Sequence, residues 1–160
     1  MTCDNSTLTD FLNLSVAITG FSEFHLQGTG QARLYCSKIT DIIGTTIFSE
    51  LLQTFRDLEV SANGDDAALD EGLRHKILSS EKFGPISRSI IKLWYVGTWY
   101  QLPAAWRERF GALEQDTTFV VSPVAFTEGL LWPTIGVNPP AAKAQGYGTW
   151  GQRPSVLKSD

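Results

Sequence analysis

Two cysteines, two histidines and one methionine are all that this 160-residue chain holds of the usual soft ligands and redox side chains. Cys3 falls in a polar N-terminal fringe and Cys36 in a helical pattern, so no disulfide is predicted. Cys36 reads instead as a small buried apolar residue. His25, placed in a loop, and His75, placed on the helix face opposite Leu73 and Ile77, have no partner at metal-ligand spacing. The most apolar run is broken by Arg88 and Lys92, which leaves it too short to span a bilayer. A basic stripe is also missing, and the net charge of −4 argues against nucleic acid as a partner. Gly28-Thr29-Gly30 follows no strand and precedes no Gly-Lys-Ser/Thr, so neither a phosphate loop nor a dinucleotide fingerprint is formed. The acid pairs Asp65-Asp66 and Asp70-Glu71 suit a helix start and a solvated face better than general acid–base work. No catalytic, cofactor-binding or metal-binding constellation results, and the chain reads as non-enzymatic by itself.

What is present is core-forming. Apolar residues make up 42% and charged residues 19% of the chain, at a mass of 17.7 kDa, which suits one folded domain. The richest stretch is ISRSIIKLWYVGTWY, Ile86 to Tyr100, preceded by Gly84-Pro85. Ile86, Ile90, Trp94 and Gly97 recur at helical spacing, with Ile91, Tyr95 and Thr98 on the neighbouring stripe. A helix apolar on most sides needs cover on most sides, so this one is predicted to be the central buried helix.

The preceding chain supplies the cover. A first helix is predicted from a Thr7 cap to Gly20, with Leu8, Phe11, Leu12, Ser15 and Ile18 on one face. Phe21 and Phe24 are expected to anchor the loop after it. A second helix from Thr29 to Gly44 aligns Ala32, Tyr35, Ile39, Ile42 and Ile43. A third, capped by Thr45 or Thr46, turns Phe48, Leu51, Leu52, Phe55 and Leu58 inward. After the turn at Asn63-Gly64, Asp65 or Asp66 caps a fourth with Leu69, Leu73 and Ile77 at i, i+4 spacing. Period-2 alternation is absent from this half, and the class is all-α: a compact helical bundle of five to six helices.

Beyond Pro103 the pattern loosens. Ala104 to Phe110 has no clear state, and Thr117 to Val121 is β-like but too short to build a sheet. Ser122-Pro123 is a cap with Pro at the first helical position, opening a last helix through Trp132. From Pro133 the chain is rich in Gly and Pro with almost no charge, which predicts neither helix nor ladder. It nevertheless carries Ile135, Val137, Tyr147 and Trp150, unlike a disordered tail. Residues 1–132 are therefore taken as the bundle domain and 133–160 as an extended C-terminal arm packed on the bundle, a partner, or both.

Three segments in order, FLNLSVAITGF (Phe11 to Phe21), IIKLWYVGTWY (Ile90 to Tyr100) and GLLWPTIGVNPPAAKAQGYGTWGQRP (Gly129 to Pro154), resemble the small subunit of membrane-bound, FAD-dependent sugar and sugar-alcohol dehydrogenases of the sorbitol, fructose and glucose type. That family has a Phe-Leu-x-Leu-Ser…Leu-Thr-Gly start, a central Leu/Trp-Tyr-Leu-Gly helix and a Trp…Gly…Pro-Pro…Gly-x-Trp arm. The resemblance spans about Thr9 to Pro154. It implies a non-catalytic partner of a large subunit that carries FAD, the catalytic residues and often an iron–sulfur cluster, commonly with a cytochrome subunit at the membrane. It also implies help with the large subunit's maturation, stability and export. Together with the uncovered rings of the arm, it places the partner interface at Tyr95, Trp99, Tyr100, Trp132, Tyr147 and Trp150.

Two departures qualify the match. Relatives begin with a twin-arginine export signal, and no such pair occurs in this chain. The expectation is a cytoplasmic complex if Met1 is the native start, and a periplasmic one, as in relatives, if a signal has been removed. Many relatives also carry a Cys in the arm where Ala141-Ala142-Lys143 stands, so no covalent tie through the arm is expected. The alternative function is a standalone helical binding protein with an apolar pocket near Trp94 and Trp99.

Overall fold

In a computed structural model, which describes residues 3–111 and 113–140, helices dominate and strand is confined to one short ladder. The helices in chain order are α1 (Asn5–Thr19), α2 (Glu23–Gly28), α3 (Ala32–Ile43), α4 (Thr45–Ala62) and α5 (Asp66–Leu73), which runs on into a π-helical turn, Arg74–Leu78. Then follow α6 (Phe83–Val96), α7 (Ala104–Phe110), α8 (Pro123–Thr127) and α9 (Leu131–Ile135). The expected count of five to six helices is too low for the described residues because short helices were read as loops.

The termini of the long helices follow their side chains. Asp4, not Thr7, caps α1, its carboxylate accepting the Thr7 N–H at 2.7 Å. That hydrogen bond, from the backbone of Thr7, holds the Asp4 carboxyl below its usual range. Gly20 ends α1 in the left-handed region, as its sequence position predicts. Ser22 caps a short α2 that contains Phe24 and His25, where the sequence reading had a loop. The next helix therefore begins at Ala32, after a Thr29–Gln31 link, rather than at Thr29. Asp65 caps α5 by accepting from Ala67 N and Ala68 N.

α6 is the central helix. Ile86, Ile90, Leu93 and Trp94 are buried, whereas Ile91, assigned to the core from the sequence, is half-buried. Trp94 stacks on Phe11 of α1 at 5.9 Å between ring centroids and meets Tyr35 of α3 edge-on at 4.9 Å. These arrangements suit the ring quadrupoles. Burial pushes the Tyr35 phenol well above its ordinary value, so within the core it acts as a neutral ring.

Cys36 is fully buried as expected, but it is not a free thiol. It is bonded to Cys3 across 6.0 Å between Cα atoms, closing a sequence separation of 33 residues. Arg33 supports the same junction, donating to Cys3 O at 3.0 Å and to Asn5 Oδ1 at 2.9 Å. The start of α1 is thus held to α3 both covalently and by hydrogen bonds.

α4 is tied to α1 by Arg56, which pairs with Asp10 at 3.0 Å. Glu59 is held above its ordinary 4.5 by partial burial first and by the Asp10 charge second. The native state therefore binds this proton more tightly than the unfolded chain. Its contribution to stability is greatest below about pH 4.5 and is lost as pH rises through the native value. Glu59→Gln should raise the urea midpoint at pH 7 and leave it nearly unchanged at pH 4. Equal shifts at both pH values would show that charge is not the cause.

The central helix does not reach Tyr100. Gly97 turns the chain out of α6 at φ 66°, and Thr98–Trp99 (β1) pairs antiparallel with Phe119–Val120 (β2), Thr98 opposite Val120 and Trp99 opposite Phe119. The β-like run recognised in the sequence does form a ladder, of minimal length, because its partner lies next to the end of α6. Ala104 to Phe110 is helical, and the last helix predicted from Ser122 splits in two. Ser122 caps α8 as predicted, accepting from Ala125 N at 3.0 Å, but α8 stops at Thr127. α9 crosses the assigned boundary at residue 132 and takes in Pro133–Ile135, which the Gly/Pro content had ruled out of helix.

Candidate partner interface

The end of α6 is where the second half of the chain converges. Backbone meets backbone there: Val121 N donates to Gly97 O at 2.9 Å, and Leu130 N donates to Trp94 O at 3.0 Å. The approach is so close that a Cβ on Gly97 would lie 2.4 Å from the Ala125 carbonyl. One on Gly129 would lie 2.6 Å from the Tyr95 carbonyl oxygen. Residues 119–135 therefore form a fixed cap on the central helix.

This cap decides where the expected interface residues fall. Trp99 is fully buried within the chain, its Nε1 donating to Asp116 Oδ1 at 3.0 Å. It belongs to the core, and its assignment to a partner surface is corrected. The same carboxylate accepts from Leu102 N at 3.1 Å, and its Oδ2 lies 3.1 Å from Arg107 Nε. That last N–H is not aligned on the oxygen, so the contact is an ion pair more than a hydrogen bond. Asp116, 1% exposed, is the polar hub of the segment and has no periodic signal in the sequence.

Tyr95 is half-buried, its ring edge-on to Phe21 at 5.7 Å and its hydroxyl donating to Thr19 O at 3.4 Å. Tyr100 is 40% exposed under the Lys92 ammonium, which sits 4.9 Å from the ring centroid. Trp132 is half-buried; its Nε1 donates to Phe126 O at 2.7 Å and the two rings meet edge-on. Tyr147 and Trp150 lie outside the described residues. Trp94 and Trp99 pack against Phe11, Tyr35 and Asp116, so the apolar pocket expected near them is filled core.

The surface that the sequence reading missed is aliphatic. Val120, Val124, Ile135 and Val137 are each half or more exposed. A groove of about 570 Å³ runs beside Val120, Phe126 and Pro140. A second groove, of about 200 Å³, lies beside Trp132 and Val137. From Thr117 to Pro140 only Glu128 is charged, a gap in charge that was available from the sequence. Exposed apolar groups in a charge-poor frame mark interaction surfaces.

The histidines lie elsewhere. His25 Nδ1 is 2.7 Å from Ser22 Oγ, within α2, and His75 is exposed on the π-helical turn. Among the described residues no helix is long and apolar enough to cross a membrane. Compared with family models, curated proteins and solved structures, the chain matches none.

Proposed function

We propose that the chain is a non-catalytic accessory subunit that binds and stabilises a large FAD-dependent sugar or polyol dehydrogenase subunit. FAD, and an iron–sulfur cluster where there is one, belong to that partner, and a cytochrome subunit completes the assembly. The observation that carries the binding part is the charge-poor face of Val120, Val124, Ile135 and Val137, held rigidly on the end of α6. The identity of the partner rests on the ordered motifs of Phe11 to Phe21, Ile90 to Tyr100 and Gly129 to Pro154. Tyr100 and Trp132 border or contribute to the docking side in this reading, and Tyr147 and Trp150 extend it. The Cys3–Cys36 bond favours assembly in an oxidising compartment, in line with export alongside the large subunit.

Co-expression with a large flavoprotein subunit of this class tests the reading. Affinity capture of the chain should recover flavin in a fixed ratio. The double variant Val124→Asp/Ile135→Asp should reduce recovery at least tenfold, because charges in an apolar contact are desolvated without partners, while the helical circular dichroism stays unchanged. Trp150→Ala should likewise weaken assembly more than it alters the dichroism. Recovery of the chain as a stable monomer with no flavoprotein would overturn the subunit reading.

A further inference from the structure

Charge is divided unevenly along the chain. Residues 1–73 hold eleven acids against three Lys or Arg, whereas residues 74–109 hold seven Lys or Arg against two acids. α6 contains no acid at all, and its exposed residues Arg88 and Lys92 are one turn apart. Beside the start of α6 lies a groove of about 280 Å³ with Pro85, Pro103, Trp106 and Phe110 in its walls. The Trp106 Nε1 is already committed, donating to Lys82 O at 2.8 Å, so the ring offers only apolar surface. Lys82 and Arg109 flank the Phe110 ring, at 6.0 Å and 5.5 Å from its centroid.

Glu81 and Arg109 both line this groove and pair with each other. Their side chains are 73% and 65% exposed. A pair so open to solvent is held weakly and exchanges readily for another carboxylate. The groove volume suits one large apolar side chain, and the cations beside it suit an acid next to that side chain.

We infer that the α6–α7 groove is a second docking site, for a protein segment that sets an aspartate or glutamate beside an aromatic or leucine side chain. The apolar side chain fills the space between Pro85, Pro103, Trp106 and Phe110, and the carboxylate takes Arg109 from Glu81. Glu81 is then an internal competitor for the site. Charge complementarity favours an acidic segment, and a concave seat of this size favours a side chain over a bilayer surface. The site shares no residue with the Val120–Val137 face and does not depend on the identity of the partner there.

The test uses the full chain and a fluorescein-labelled twelve-residue peptide of Asp, Glu, Leu and Phe, read by anisotropy. A version with Lys and Arg in place of the acids, and phosphatidylserine vesicles, serve as comparisons. The acidic peptide should bind, and more weakly at 200 mM than at 50 mM salt. Arg109→Gln should weaken binding and Glu81→Gln should tighten it, each by roughly threefold, the scale of an exposed ion pair. Ala105→Trp, which fills the groove, should abolish binding without changing the circular dichroism. Absence of binding, or tighter binding that does not follow Glu81→Gln, would overturn the proposal. So would equal binding of the basic peptide or preference for the vesicles. Self-association in sedimentation that Arg109→Gln abolishes would assign the groove to the acidic half of a second copy and overturn it as well.

Discussion

Asp116→Ala should destabilise the chain by about 3–5 kcal/mol, the usual consequence of removing one member of a buried charged network. The carboxylate is 1% exposed and satisfies Trp99 Nε1 and the Leu102 amide while facing Arg107. Its removal leaves two buried donors without acceptors in addition to the unpaired guanidinium. Arg107 is 35% exposed, so water offsets part of that last loss, and the two donors dominate. Asp116→Asn keeps an acceptor oxygen for Trp99 and should cost less than the alanine variant. Urea unfolding monitored by tryptophan fluorescence orders the three proteins. If asparagine costs as much as alanine, the charge on Arg107 matters more than the two hydrogen bonds.

Gly97→Ala is the second substitution with a large expected effect. The left-handed backbone costs an L-residue about 1–2 kcal/mol, and overpacking against a backbone neighbour adds about 1–3 kcal/mol. The added methyl would lie 2.4 Å from the Ala125 carbonyl and 2.6 Å from Phe126 N, atoms that move only with α8 itself. Gly20→Ala is the control: its φ is 76°, yet no atom lies within 4 Å of the added methyl. That variant should lose only the conformational part. Hydrogen exchange should show the difference locally. In Gly97→Ala the amides of Val121 and Leu130, which bond to Gly97 and Trp94, lose protection, and in Gly20→Ala they keep it. Equal destabilisation by the two substitutions would mean that α8 yields without cost.

The same region separates what the sequence conveyed from what it did not. Ile86, Ile90 and Trp94 were identified as core because a single period of 3.6 carries through a continuous helix. Extending that period past Gly97 placed Trp99 on a helix and then at a surface, whereas the left-handed turn sends it into a strand and the core. The ladder of Thr98–Trp99 with Phe119–Val120 is too short for alternation to develop. The Cys3–Cys36 bond depends on how closely two Cα atoms approach, and a separation of 33 residues does not encode that distance. Asp116 could not be distinguished from a loop acid without its three partners. Of the expected interface residues, Tyr95 proved half-buried and Tyr100 and Trp132 partly accessible. The aliphatic face beside them was visible only as missing charge between Thr117 and Pro140, a negative signal that periodicity does not register.

The backbone contact at the end of α6 has an evolutionary consequence. Gly97 and Gly129 lack side chains because Ala125 and the Tyr95 carbonyl occupy the space, a constraint internal to the chain. In descendants that change or lose their partner, both positions should remain glycine. Val124, Ile135 and Val137, whose exposure serves no internal contact, should drift toward polar residues in such lineages. Substitution rates at these two groups of positions, compared across lineages with and without a neighbouring flavoprotein gene, would separate selection for folding from selection for assembly.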